Sequence, residues 1–346
     1  MVGNQVRDVR QDMPSRFEFD NPMEEMNMRD LWFGCVALAI AGVNVPVYSQ
    51  QYPAKPVRII VPFSPGGGTD FIARLVASKL TSSFGKQFLV ENRPGAGSTI
   101  GTEAALKSPA DGYTLLLTSG SYTVAPSLYN LRYDPLKDMT PIIQPDDGPF
   151  ILVTHPSLPV RNVKEFVALA KARPEEINYA TSGVGSITHL STELFAMISG
   201  IKLTHIPYKG TGQSITDTIA GHNQSMLAAV ASVLPHIRSG RLRAIAVTSA
   251  KRNPALPELP TVMESGYKYE VSNWHGLLGP KDMPREIVET LNGAINKIIK
   301  DAEFVQQIAG DGLVASGGSP ERLLRLITDE MKNWARVANA LGLKAK

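Results

Sequence analysis

The chain of 346 residues holds a single cysteine, Cys35. One thiol cannot form a disulfide framework, and it cannot build a cysteine-rich zinc site. Charge is also sparse: Asp, Glu, Lys and Arg make up 19 % of the residues and the net charge is +3. Acids and bases are spread along the chain, with no basic run and no Lys or Arg interleaved with stacking aromatics. Nucleic acid is therefore not an expected partner. No apolar run reaches the ~20 residues that span a bilayer. Catalytic signatures are missing as well. Gly85-Lys86 is followed by Gln87 rather than Ser or Thr, so there is no Walker loop. There is no Gly-x-Ser-x-Gly elbow. The six histidines (His155, His189, His205, His222, His236 and His275) include no His-Glu-x-x-His and no i,i+4 pair. No catalytic residue, metal or cofactor is expected, and the chain reads as a binder rather than an enzyme.

The composition that remains is globular. Apolar residues are 43 % of a chain long enough for two domains. Leu31 to Val43 is an uncharged stretch of 13 residues, the length of a signal-peptide apolar region. Val47 and Ser49 supply small residues for cleavage, which is expected after Ser49 and implies export. Before this stretch, Arg7, Arg10, Arg16 and Arg29 stand against Asp8, Asp12, Glu18, Asp20, Glu24, Glu25 and Asp30. That acidic balance is wrong for a signal n-region, so a start at Met26 or Met28 is expected. Most of the apolar run follows Cys35, which argues against a lipidated cysteine.

From Gln50 onward, strands and helices alternate. Val57–Phe63, Gln87–Glu91 and Tyr113–Thr118 read as strands, with helices over Phe71–Leu80 and Ser98–Lys107. This βαβαβ order implies a parallel sheet covered on both faces. After the proline-marked stretch Pro126–Pro141 comes an apolar segment, Phe150–Thr154, and then a second α/β series. Its helices are near Val163–Lys171, Ile187–Ile198, Ser214–Ala220 and Val233–Arg238. Its strands are near Ile177–Ala180, Leu203–Ile206, Ser225–Val230 and Arg243–Thr248. Val271–Leu278 reads as a return strand, followed by helices over Glu286–Lys300 and Pro320–Leu341. Segments 145–155 and 268–279 read as crossings between two lobes. One lobe is placed at 50–153 plus 272–346, the other at 154–271.

Four small-residue loops follow strand C-termini: Phe63–Thr69, Thr118–Ser121, Thr181–Ser186 and Tyr208–Gly212. Open α/β sheets bind ligands at these ends. Glycine permits close backbone approach, and the free amides of a helix N-terminus suit an anion. Any one loop alone is an ordinary turn. Together they describe a cleft lined with donors and short of fixed charge, suited to a carboxylate. Asp70 reads as a helix-start residue satisfying amides, and His189 as a packed or capping histidine. Lys209 reads as a solvated charge at the cleft edge, and Tyr208 and Trp274 as core or wall. Gly95-Ala-Gly97-Ser-Thr-Ile-Gly101 sits between strand and helix like a dinucleotide fingerprint. Its Gly-x-Gly-x-x-x-Gly spacing differs, and the next strand ends in Thr118–Ser121 with no ribose-binding acid. A Rossmann-like NAD(P)-dependent oxidoreductase is the alternative from the enzyme class.

An ordered series of motifs resembles the substrate-binding components of tripartite tricarboxylate transporters, the Bordetella-type periplasmic solute receptors. It runs through Tyr52–Phe63, Pro65–Asp70, Val90–Gly97, Pro109–Leu115 and Tyr179–Ser186 with His189-Leu190. It continues through Ile206–Gly210, Leu234–Thr248, Pro257–Val262 and Trp274–Pro280. The resemblance implies an α/β, type II periplasmic-binding-protein fold, with two mixed-sheet lobes joined by two crossover segments. It implies delivery of a small organic carboxylate to two-component membrane permease subunits; a monomer is expected, and a further, non-exclusive alternative is that the loaded protein signals to a membrane sensor kinase. By position, Phe63, Ser64, Gly66, Gly67, Ser182, Gly185, Ser186, Tyr208, Lys209 and Gly210 meet the ligand, joined by Thr118 and Ser119 from the third-strand loop. Many relatives carry Phe-Asp-Asn where this chain has Leu227-Ala228-Ala229. Without an acid at Ala228 to pair with an amine, a plain or partly apolar carboxylate is expected rather than an amino acid.

Intact-mass analysis of the exported protein is expected to show a chain beginning at Gln50. A diacylglyceryl-modified Cys35 at the amino terminus would contradict this.

Overall fold

The computed structural model describes residues 52–310 and 312–343; the signal region, Cys35 and the cleavage point lie outside them. Val57–Val61 (β1) pairs in parallel with Phe88–Asn92 (β2) on one side and Thr114–Ser119 (β3) on the other. Both faces of β3 and most of β1 are covered, which is why they read as apolar runs rather than alternating ones, while β2 lies at the edge. Ile59, Val61, Leu115 and Leu117 face one core, against Ile72, Val76 and Leu80 of Gly68–Phe84 (α1). Ile60 and Leu116 face the other, with Ala105 and Leu106 of Thr99–Leu106 (α2). A short helix, Ser121–Val124 (α3), follows β3 directly.

Met139–Thr154 (β4) is the pivot of the architecture. From Met139 to Pro149 it runs antiparallel to Ser272–Pro280 (β9), which itself lies beside β3. From Phe150 to Thr154 it changes partners, pairing with Ser225–Ala229 (β7) and Arg243–Val247 (β8). β7 leads on to Asn178–Thr181 (β5) and Thr204–Pro207 (β6) in parallel. The order β2-β1-β3-β9-β4-β7-β5-β6 thus joins two mixed sheets through one shared strand. Thr248 ties both crossings together: its hydroxyl accepts from the Phe150 amide at 2.9 Å and donates to the Val271 carbonyl at 2.6 Å.

The second lobe carries Val163–Ala172 (α4), Ile187–Ser199 (α5), Thr211–Ile219 (α6) and Val230–Arg238 (α7). Asn162 caps α4 by accepting from the Glu165 amide, as a helix-start Asn should. Arg285–Ile298 (α8) and Ala302–Gly310 (α9) return to the first lobe, where Leu291, Ile295, Phe304 and Ile308 complete its core. The last helix, Pro320–Ala340 (α10), belongs to both lobes. Leu323 and Ile327 pack with Trp274 and Leu278 of the first, while Trp334 and Ala338 enter the second beside Phe166 and Phe195. Between them Glu330 accepts from Trp274 Nε1 at 2.7 Å and Thr123 Oγ1 at 2.9 Å. Burial pushes this carboxyl above its ordinary value, against the lowering effect of its hydrogen bonds.

Besides the short α3, three elements escape the sequence reading. The strand β4 begins at Met139 although it contains Pro141, Pro145 and Pro149, residues that remove ladder donors and argue against a strand. The register shifts between Pro141 and Ile143, and again between Ile143 and Asp146; these bulges absorb the lost donors. The helix α9 and the two-residue strand Val314–Ala315 (β10), which pairs with Asp146 and Asp147, are also absent from it.

Candidate functional site

The antiparallel β9 brings its first residues alongside the C-terminal end of β3, with Ser119 opposite His275. The partner switch in β4 then sets the C-terminal end of β7 next to Phe150. All the strand-end loops consequently face one narrow cleft. Phe63, Gly67, Gly68 and Thr69 line it from the β1 loop, and Ser119 and Ser121 from the β3 loop. Ser182, Ile187 and Thr188 come from the β5 loop and Thr211 from the β6 loop. Phe150, Ala229 and Asn273 close it on the strand side.

Four helices longer than two turns begin at this cleft. Gly67 caps α1, Gly210 precedes Thr211 at the start of α6, Ala229 precedes α7, and Ile187 opens α5. The first amides of each helix have no intrahelical acceptor and carry partial positive charge. No Asp, Glu, Lys or Arg lines the cleft. His189 and His205 lie behind the β5 loop, stacked 4.2 Å apart. Burial pushes His189 down to about 4 and, with His189 beside it, His205 to about 3. Both are therefore neutral at neutral pH. Chemically, such a cleft can hold an anion through oriented dipoles and hydroxyls, with no ion pair from its lining.

The β1 loop is held by a buried carboxylate. Asp70 Oδ2 accepts from the Gly66 amide at 3.1 Å and from Arg74 Nε at 3.0 Å, and Oδ1 accepts from Asn92 Nδ2 at 2.9 Å. Asn92 Nδ2 also reaches the Phe63 carbonyl at 3.1 Å. Burial raises the Asp70 carboxyl, but these hydrogen bonds outweigh it and leave the group below its ordinary value. Asp70 thus does the helix-start work expected of it.

The loops of the two lobes touch. The Ser64 amide donates to the Lys209 carbonyl at 3.3 Å, the Ile187 amide to Ser121 Oγ at 3.0 Å, and Tyr129 Oη to the Val184 carbonyl at 2.7 Å. Close approach explains two of the glycines. A Cβ on Gly212 would sit 2.1 Å from the Pro65 carbonyl oxygen, and one on Gly97 would sit 2.3 Å from that of Val184. The Gly95–Gly101 segment is occupied by this packing, which leaves no open turn for a pyrophosphate.

Of the residues expected at the site, Phe63, Gly67, Ser119 and Ser182 line the cleft. The others stand behind it. Ser64 is buried at the lobe contact, with no hydrogen bond to its hydroxyl, and Thr118 Oγ1 is likewise buried and unpartnered. The Gly66 amide is taken by Asp70. The Gly185 amide donates to His189 Nδ1, and Ser186 caps α5 while donating to the Gly183 carbonyl at 2.7 Å. Tyr208 Oη donates to Asp217 and accepts from Asn223, pointing its polar end away; Lys209 is exposed and Gly210 packs on Ser64. Ala228 faces the core with Ile151 and Val233, because strand alternation turns it away; its neighbour Ala229 is the cleft residue. Phe150 and Asn273 lie outside any loop signal. Only the pairing of β4 with β7 and β9 places them here.

A family model described as "Tripartite tricarboxylate transporter family receptor" matches residues 72–343. Protein BugT of Bordetella pertussis (strain Tohama I) is 39 % identical over 315 residues, covering 90 % of this chain and 97 % of BugT. The structure of the periplasmic binding protein BugD matches with a TM-score of 0.83 at 34 % identity, over 85 % of this chain and 100 % of that one. R. palustris Rpa4515, solved with adipate, matches with the same TM-score of 0.83, 34 % identity and coverage of 85 % and 100 %.

Asp70→Asn is expected to destabilise the protein by about 1–3 kcal/mol at pH 7, because three donors lose a charged acceptor. A carboxyl lowered by folding contributes stability that is full above its unfolded value and lost as pH falls through the folded one. The gap between wild type and variant in urea melts should therefore narrow below about pH 4. A constant gap down to pH 2 would contradict the assigned role.

Proposed function

The chain belongs to the tripartite tricarboxylate transporter receptor family, and on that premise we propose that it captures a small organic carboxylate in the interlobe cleft. The observation that carries this reading is the convergence of four helix N-termini on a cleft without a charged side chain. Such a cleft offers amide and hydroxyl donors at fixed positions and no charged side chain, which suits a carboxylate over a cation or a purely apolar guest. Adipate, held by Rpa4515, belongs to the same chemical class.

In this reading one carboxylate lies over the start of α1, held by amides of Gly67 to Thr69, with Ser119, Ser121, Ser182 and Thr188 supplying hydroxyls. The moving parts are the two lobes, 52–153 with 272–343 and 154–271, as far as their described residues extend. They hinge where β4 changes partners and where Val271 meets β9, and α10 bends or slides between them. Closure buries the ligand and makes the Ser64–Lys209, Ser121–Ile187 and Tyr129–Val184 contacts. The closed, loaded monomer in the periplasm is the form that permease subunits accept, and the same form can be read by a membrane sensor kinase. Binding proceeds without turnover, since the cleft carries no nucleophile paired with a base.

Thermal-shift screening of dicarboxylates, tricarboxylates, aromatic acids and amino acids is expected to yield a saturable rise in Tm with one class, the acid being recovered unchanged. Chemical conversion, or no shift with any acid, overturns the reading. Gly212→Ala separates closure from folding. Its clash arises only against Pro65 of the other lobe, so it should lower affinity about tenfold or more while the ligand-free Tm stays within a few degrees.

A further inference from the structure

Among the amides and hydroxyls of the cleft stands one side-chain carbonyl, a group that can only accept. Asn273 is 5 % exposed and lines the cleft, and its Oδ1 has no hydrogen-bond partner. Its other end is spoken for: Nδ2 lies 3.4 Å from His275 Nε2. His275 Nδ1 in turn lies 2.7 Å from Asp146 Oδ1, and both of these side chains are fully buried. The strands enforce this line of groups. Asn273 and His275 are two residues apart on β9, hence on one face, and Asp146 stands directly across from His275 on β4.

An isolated side-chain amide can present either end, so an Asn at a binding site does not by itself choose between ligands. Here the choice is made behind it. A neutral imidazole that donates Nδ1–H to Asp146 keeps its lone pair on Nε2, and the Asn273 amide is set to match, with Nδ2 toward His275 Nε2. That lone pair calls for a donor, so the Asn273 amide turns its NH2 inward and its carbonyl is the end left for the cleft. A carbonyl oxygen repels a carboxylate and is satisfied only by N–H or O–H. A buried acceptor without a partner is costly, so a ligand that supplies a donor there is strongly favoured over one that does not. No carboxylate lines the cleft to compensate an ammonium, which points to a neutral donor.

Resting on the carboxylate reading above, we infer that Asn273, oriented by the Asp146–His275 pair, selects organic acids bearing a hydroxyl or other neutral hydrogen-bond donor away from the bound carboxylate. Asn273 is the specificity residue; His275 and Asp146 are positioning residues that act through it.

The test uses three skeletons, each in a plain, a hydroxy and an oxo form: succinate, malate and oxaloacetate; glutarate, 2-hydroxyglutarate and 2-oxoglutarate; benzoate, 4-hydroxybenzoate and 4-formylbenzoate. Aspartate and glutamate serve as the ammonium arm. Affinities by calorimetry are expected to favour the hydroxy form over the oxo and ammonium forms by at least about tenfold on the skeleton that binds. Asn273→Leu, checked for folding by its ligand-free Tm, is expected to bring the hydroxy and oxo forms to within about threefold of each other. Asp146→Asn removes the carboxylate that fixes the imidazole, and should shift preference toward the oxo form. A merely structural role for these residues would lower all affinities together and leave the ratios in place. Equal binding of hydroxy and oxo acids by the wild type, preference for the ammonium arm, or an unchanged ratio in Asn273→Leu each overturns the inference while leaving the carboxylate reading standing. Failure of every acid in the wider screen overturns both.

Discussion

The strands β4 and β9 are hydrogen-bonded to each other from Met139 to Pro149, and only then does β4 pass to new partners at Phe150. The arrangement of the cleft follows from that handover. The first sheet presents the C-terminal ends of β1 and β3 beside the start of β9, and the second presents the ends of β5, β6 and β7 beside Phe150. Had β4 ended at Pro149, each lobe would keep its own strand-end loops, but nothing would aim them at one another. Thr248 fastens the two crossings at the same level, and α10 runs across both cores from Leu323 to Ala338. Two β-crossings and one helix thus join the two halves at this level.

That geometry decides how charge is handled. A cleft that met its ligand with Lys or Arg would bind by attraction that salt weakens. Here the donors are backbone amides at helix starts and small hydroxyls, fixed by the fold. They act over hydrogen-bond distances and demand correct placement of the ligand. The charges near the site are committed elsewhere. Asp70 is spent on holding the β1 loop, and Arg74 on Asp70. The Asp146–His275 pair is sealed behind Asn273. Charge thus shapes the walls, and neutral groups line the cleft.

Much of this was readable in the chain. A β-branched run ending in glycines is a strand followed by a tight loop, and Phe63–Thr69 and Thr181–Ser186 lie where such runs place them. What the loop signal could not resolve is which atoms are free. Gly66, Gly185 and Ser186 sit in the right loops, but their polar groups are used locally, by Asp70, His189 and the cap of α5. Ala228 missed by one residue, because a strand's facing depends on register with β4 and not on its own composition. The prolines of β4 hid the strand that joins the lobes, since bulges that tolerate them depend on the partner strand. Asn273 and Phe150 lie more than a hundred residues apart and meet only through that pairing, so no local pattern marks them.

The most direct test of the carboxylate cleft is a crystal structure of the protein grown with the acid that most raises its Tm. The expected result is one carboxylate within hydrogen-bond distance of the amides at Gly67 to Thr69, enclosed between the β1 and β5 loops with no basic side chain in contact. An acid bound outside this cleft, or held there by a lysine or arginine, would contradict the account.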